Sequence, residues 1–254
     1  MEYGKNTSKY FDMIFSVTQR IMEPMLEKNN EESQRVMINS IVGLKGPKSV
    51  NRNIPPIEHF IANKLFRPLG EILFSVEAIE NIAIYARSFP YKRQGVSRAT
   101  YLKYHVENYL NELYLLKNRL IAYLKLIEKS YKRSDISEHV NATISPLYKV
   151  VTKDFMEYLN VRGAHVHQHR YSDDDFNRLS TLELLSRGGG KDKFGTIMTH
   201  LSDNAHSEIR KKWVKRINAD LKGIHSLLEF FFENLFLSIS KDGTLIFPNN
   251  IIKA

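Results

Sequence analysis

From Thr100 to Ser130, apolar residues recur at alternating steps of four and three: Leu102, Val106, Tyr109, Leu113, Leu116, Leu120, Tyr123 and Ile127. That spacing is the repeat of one face of an α-helix, and Leu110 and Leu124 widen the stripe into a continuous seam. At about 1.5 Å per residue the segment spans roughly 45 Å, the length of a bundle helix. A helix of this kind hides its seam only against other helices, so the pattern constrains the whole fold.

Partners with the same period are present. Ser207 to Leu237 carries Trp213, Ile217, Leu221, Ile224, Leu228, Phe231 and Leu235 on one face, and Arg210, Lys211, Lys215 and Lys222 on the opposite one. Ile57 to Ser88 reads as helix with Leu65, Leu69, Ile72, Val76, Ile79 and Ala83 inward, and Pro68 marks a kink or a fresh start. Asp135 to Val161 is a further helix, re-initiated at Pro146, with Leu147, Val150, Val151, Phe155, Tyr158 and Leu159 inward. Ser8 to Glu27 adds an N-terminal one. Three stretches break the pattern: a proline-rich loop from Gly43 to Pro56, a turn from Phe89 to Gly95, and a flexible basic glycine loop from Ser186 to Gly195. The only extended signal is Gly243 to Pro248. The expected fold is therefore all-α, an up-and-down helical bundle with an N-terminal helical extension. Residues 1–55 form the extension and its loop, 56–240 the bundle, and 241–254 an extended C-terminal tail.

Composition narrows the chemistry. There is no cysteine, which removes disulfides, thiolate nucleophiles and Cys-type zinc sites together and fits a reducing compartment. The opening residues, MEYGKNTSKYFDMIF, lack the basic start and apolar run of a signal peptide. The most apolar late stretch, Leu227 to Ile239, is too short for a bilayer and is interrupted by Glu229, Glu233 and Asn234. A cytoplasmic location with no membrane partner is expected. The formal net charge of +9 favours a polyanionic partner such as nucleic acid.

The densest concentration of chemically capable side chains is N-V-R-G-A-H-V-H-Q-H-R-Y-S-D-D-D, beginning at Asn160. His165, His167 and His169 alternate between Arg162 and Arg170. One reading is a solvated helix end. A second makes the three histidines metal ligands, with Asp173, Asp174 and Asp175 nearby to complete the sphere, although no HExxH pattern is present and the flanking arginines would repel a cation.

A third reading rests on Arg162 and His167, with four residues between them, following a long amphipathic helix and embedded in N-x-R-x-x-H-V-H-x-x-R-Y. This R-x4-H spacing resembles the signature of the HEPN superfamily, and the helix E-N-Y-L-N-E-L-Y-L-L-K-N-R-L resembles that family's bundle helices; the resemblance covers Ile57 to Leu237. Looser matches with up to six intervening residues occur at Arg52/His59, Arg98/His105 and Arg133/His139, and read as accidental. The resemblance implies a metal-independent endoribonuclease of the toxin or phage-defence type, acting without cofactor as a homodimer, with a cognate antitoxin as partner. It implies Arg162 and His167 as catalytic, His169 as a backup in the acid–base role, and Asn160, His165 and Arg170 beside the RNA phosphates. Apart from the resemblance, Lys211, Lys212, Lys215 and Arg216 form a basic patch that reads either as a track for an RNA backbone or as a solvent-facing helix face. The chemistry suits these residue types. RNA brings its own nucleophile, the 2′-OH; histidine moves protons near neutrality; arginine is a permanently charged fork matched to phosphate oxygens. The residue after Arg162 is Gly163, where active members usually carry a polar residue, often Asn. That departure keeps open a catalytically inactive module of the same fold that binds RNA, a nucleotide or a protein.

Overall fold

The computed structural model describes residues 4–26, 38–39, 56–88, 96–156, 173–189 and 192–252. Nearly all of them are helical. The helices are α1 (Lys5–Leu26), α2 (Pro56–Phe60), α3 (Arg67–Arg87), α4 (Arg98–Tyr131), α5 (Ser137–Asp154), α6 (Asp174–Gly188), α7 (Lys193–Ile239) and the short α8 (Asn249–Ile252). The all-α class is as the seams predict. Every seam position of α4 is buried, and so is every one of α7 from Trp213 to Leu235.

The differences from the sequence reading have local causes. α2 runs into α3 through a π-helical stretch, Ile61–Phe66, in which the Arg67 amide bonds back to the carbonyl of Ala62. Pro68 follows immediately. Its ring would crowd the carbonyl four residues back in a regular α-helix, and the wider π turn relieves that crowding, so the chain neither stops nor restarts there. α5 likewise continues through Pro146. Pro146 and Ala142, whose carbonyl loses its usual donor, are both exposed, so that carbonyl is open to water. Most of the expected glycine loop is helix. α6 ends at Gly188, and α7 begins at Lys193, well before the expected Ser207, with Asp192 accepting from the Gly195 amide at 2.6 Å as its cap. A Cβ on Gly189 would lie 2.7 Å from the Gly195 Cα, so glycine permits this close turn. The tail is a hairpin rather than a purely extended segment: Ser240–Lys241 (β1) pairs antiparallel with Thr244–Leu245 (β2). Asp242 and Gly243 both have positive φ, the geometry of a tight two-residue turn for which Asp-Gly is favoured.

The chain divides into two compact units, and α3, α4 and α7 contribute residues to both. The first comprises Met1–Phe74, Lys117–Lys153 and His225–Ala254. Its core is unusually rich in tyrosine. The Tyr10 and Tyr123 hydroxyls lie 2.7 Å apart, and Tyr123 donates to the Leu65 carbonyl in the π turn. Because a phenol has one hydrogen, Tyr10 must then donate to Tyr123. Tyr10 stacks on Phe232 at 5.1 Å, while Tyr131 donates to the Ile246 carbonyl at 2.6 Å and meets Phe60 edge-on. Burial pushes all three phenols up in pKa, so they remain neutral donors. Glu229 of α7 caps α1: its carboxylate accepts from the amides of Asn6 and Thr7 at 2.8 and 3.0 Å and from the Thr7 hydroxyl. Gly4 makes room, since a Cβ there would collide with the Glu229 carboxyl group.

The second unit comprises Ser75–Leu116 and Asp154–Ile224. Val76, Ile79, Leu102, Tyr109, Leu179 and Ile217 are among its buried apolar residues, and the Tyr109 hydroxyl donates to Asp220. No helix among the described residues is long and apolar enough to cross a membrane.

The tyrosine relay sets a stability test. Tyr123→Phe leaves two buried polar groups short of a partner and should destabilise the fold by about 1–3 kcal/mol. Tyr148→Phe removes an exposed hydroxyl bonded to Glu128 and should shift stability by less than about 0.5 kcal/mol. Urea midpoints of the two variants that fall together would remove the relay from the account.

Candidate functional site

The described residues on either side of the Arg/His segment are each fixed by local contacts. On its N-terminal side α5 closes at Asp154, and Phe155 turns into the core at 2% exposure. On its C-terminal side Asp173 caps α6, accepting from the Phe176 amide at 2.8 Å. Phe176 is buried, its ring centroid 6.4 Å from that of Trp213. Asp175 receives Lys212 at 2.6 Å and also pairs with Arg178. Two of the three aspartates considered as metal ligands are thus engaged in capping and ion pairing. Among the described residues no group of three or more His, Asp or Glu side chains is placed to hold a metal.

Asn160, Arg162, Gly163, His165, His167, His169 and Arg170 all lie outside the described residues. Lys211 and Lys215 are exposed on α7, one turn apart, flanking the Lys212 that pairs with Asp175. The segment's C-terminal anchor and the basic face of α7 are therefore joined directly. Trp213 belongs to the core, with the Arg216 guanidinium 5.5 Å from its ring centre. Of the looser Arg/His matches, Arg98 and His105 share a face of α4, but Arg98 is ion-paired to Asp203 and His105 is largely buried among tyrosines. His139 is 3.1 Å from the Leu237 carbonyl, a structural contact.

A second cluster, within the second unit, escapes sequence reading. Glu183 of α6, 8% exposed, accepts from the Arg98 and Ala99 amides at 2.7 and 3.3 Å and so caps α4 from outside its own helix. Arg98 pairs with Asp203 of α7. Farther along α7, Arg210 donates to the Arg87 carbonyl at 3.2 Å, closing the end of α3. His206, 2% exposed, lies among these charges. Burial is the main force lowering its pKa, to about 4; Arg210 and Arg98 add to the effect, and Glu183 and Asp203 oppose it. The imidazole is therefore neutral at pH 7. The residues come from positions far apart in sequence. The only sequence signal is Glu183 falling in helical step with Phe176 and Leu179, a carboxylate on an otherwise apolar stripe.

This cluster makes stability pH-dependent with a defined sign. The unfolded His206 takes up its proton near 6.5 and the folded one only near 4, so between these values the unfolded state binds more protons. Stability is full above about pH 6.5 and drains as pH falls toward about 4, at up to about 1.4 kcal/mol per unit. Urea titrations across this range should show that slope, and His206→Gln should flatten it; an unchanged slope would place the acid sensitivity elsewhere.

The chain matches no protein-family model, no curated protein and no solved structure.

Proposed function

We propose that the chain is a HEPN-like, metal-independent endoribonuclease of the toxin or phage-defence type, acting in the cytoplasm. The observation that carries the reading is the R-x4-H pair, Arg162 and His167, between two helices of an all-α protein. The net charge of +9 and the exposed Lys211 and Lys215 on α7 suit a polyanionic substrate. In this mechanism a histidine takes the proton from the 2′-OH, the freed oxygen attacks the adjacent phosphorus, and the 5′-oxygen of the next nucleotide leaves with a proton. The products are a 2′,3′-cyclic phosphate and a 5′-hydroxyl. Arg162 neutralises the charge gathering on the phosphate in the transition state, and His167 supplies the acid–base step, worth about 10²- to 10⁴-fold. His169 and His165 stand ready for the second proton transfer, and Asn160 and Arg170 contact phosphate. One Arg/His pair is a sparse catalytic set, so the reading includes a homodimer with two motifs facing one cleft, and a cognate antitoxin to restrain it.

Gly163 favours one second reading: an inactive module of the same kind that binds RNA, a nucleotide or a protein without cutting.

Purified protein should cleave single-stranded RNA in excess EDTA and leave DNA intact. Arg162→Ala and His167→Ala should each lower the rate at least about 100-fold with helicity unchanged. Salt-sensitive RNA binding without cleavage would select the inactive module, and loss of activity on chelation would select a metal site at the histidines. Light scattering should give twice the chain mass at micromolar concentration; a monomer would remove the composite site.

A further inference from the structure

Four aromatic rings gather where α3 ends and α4 begins, within the second unit. His105 is the hub, with ring centroids of Tyr101, Tyr104 and Tyr85 at 4.5, 5.4 and 5.9 Å. The Tyr101 hydroxyl donates to the Tyr85 carbonyl at 3.2 Å, fastening the last turn of α3 to the first turns of α4. The hub is dry and its rim is wet: His105 is 8% exposed, whereas Tyr85 and Tyr104 are 51% and 59% exposed. Desolvation lowers the His105 pKa, so the hub is a neutral ring near pH 7 and does not repel a stacked base through charge.

Cations surround this end of the unit. Arg87, two residues after Tyr85, is exposed and donates to Asn218 of α7 at 3.3 Å. Arg210 of α7 donates to the Arg87 carbonyl, which brings a second guanidinium to the tyrosine-bearing end of α3. Half-exposed rings on a rigid backing, at a helix end where Arg87 and Arg210 also meet, have the two components of a single-strand surface: faces for bases and charges for the backbone. A purely apolar partner would not use the arginines, and a duplex would hide its base faces.

We infer that the Tyr85 and Tyr104 surface stacks unpaired bases of an RNA strand, while Arg87 and Arg210 attract its phosphates. The inference rests on the proposal that RNA is the ligand and adds where a strand is gripped away from the Arg162–Arg170 segment.

The test uses a short fluorescein-labelled 2′-O-methyl oligouridylate, which lacks the nucleophile and is bound without being cut, with inorganic polyphosphate as a base-free comparison. Tyr85→Leu and Tyr104→Leu retain apolar bulk but remove the ring, and each should weaken oligouridylate binding about ten-fold, stacking being worth about 1–3 kcal/mol per base. Tyr85→Phe and Tyr104→Phe should bind as the parent does, and polyphosphate affinity should not change in any variant. Unchanged oligouridylate affinity in the Leu variants, an equal loss for polyphosphate, or no binding by the parent at low salt would overturn the surface. Cleavage of natural RNA by the parent in EDTA is scored separately. A parent that cuts RNA while the Leu variants bind normally refutes only the surface; tyrosine-dependent binding without any cleavage refutes only the nuclease.

Discussion

The helical packing depends on carboxylates that reach across to the amino ends of other helices. An α-helix begins with amide donors that have no partner within it, and burying such an end without acceptors is costly. Glu229 answers this for α1 and Glu183 for α4, each from a different helix. A charged acceptor also meets the positive end of the helix dipole, so each contact joins capping with electrostatics, on the order of 1–2 kcal/mol. For Glu229, burial works to raise the pKa, but hydrogen bonds from Thr7 and the Asn6 amide outweigh it and hold the carboxyl below its ordinary value. These contacts fix where helices begin and which neighbours they meet, and neither seam alone determines that.

This use of acids bears on the positive charge. Asp173 and Asp192 cap α6 and α7, while Asp175, Asp203 and Glu71 pair with Lys212, Arg98 and Arg119. These acids serve structure, while Lys211 and Lys215 project from α7. Each ion pair takes up one base for each acid, so the formal net charge of +9 stands, and its attraction for a polyanion is strongest at low salt.

Helix seams were legible because burial enforces a period. α4 and the later part of α7 follow it without interruption, and their positions are buried throughout. α6 was not legible, since its inward face runs Phe176, Leu179 and Glu183, a carboxylate where an apolar residue would announce the helix, while Leu184 at 70% exposure faces out. In the early turns of α7, Phe194, Ile197 and Leu201 recur at helical spacing, but the neighbouring Gly188, Gly189, Gly190 and Gly195 read as a loop. The Asp-Gly pair at 242–243 is a hairpin signal in itself, missed beside strands of only two residues. Site chemistry divides the same way. The Arg162/His167 spacing is local and can be read from sequence, whereas the grouping of Arg98, Glu183 and His206 requires three helices to meet.

The π turn before Pro68 has a consequence for phase. One additional residue per turn rotates everything upstream by about 100° relative to an uninterrupted α-helix. Phe60 reaches both Tyr131 and Phe247 because of that rotation, at 6.1 and 6.3 Å between ring centres. Deleting one residue from Ile61–Phe66 would restore regular winding and swing Phe60 off both rings. Chain length in this short stretch is therefore constrained more tightly than residue identity, as the spacing of teeth constrains a gear.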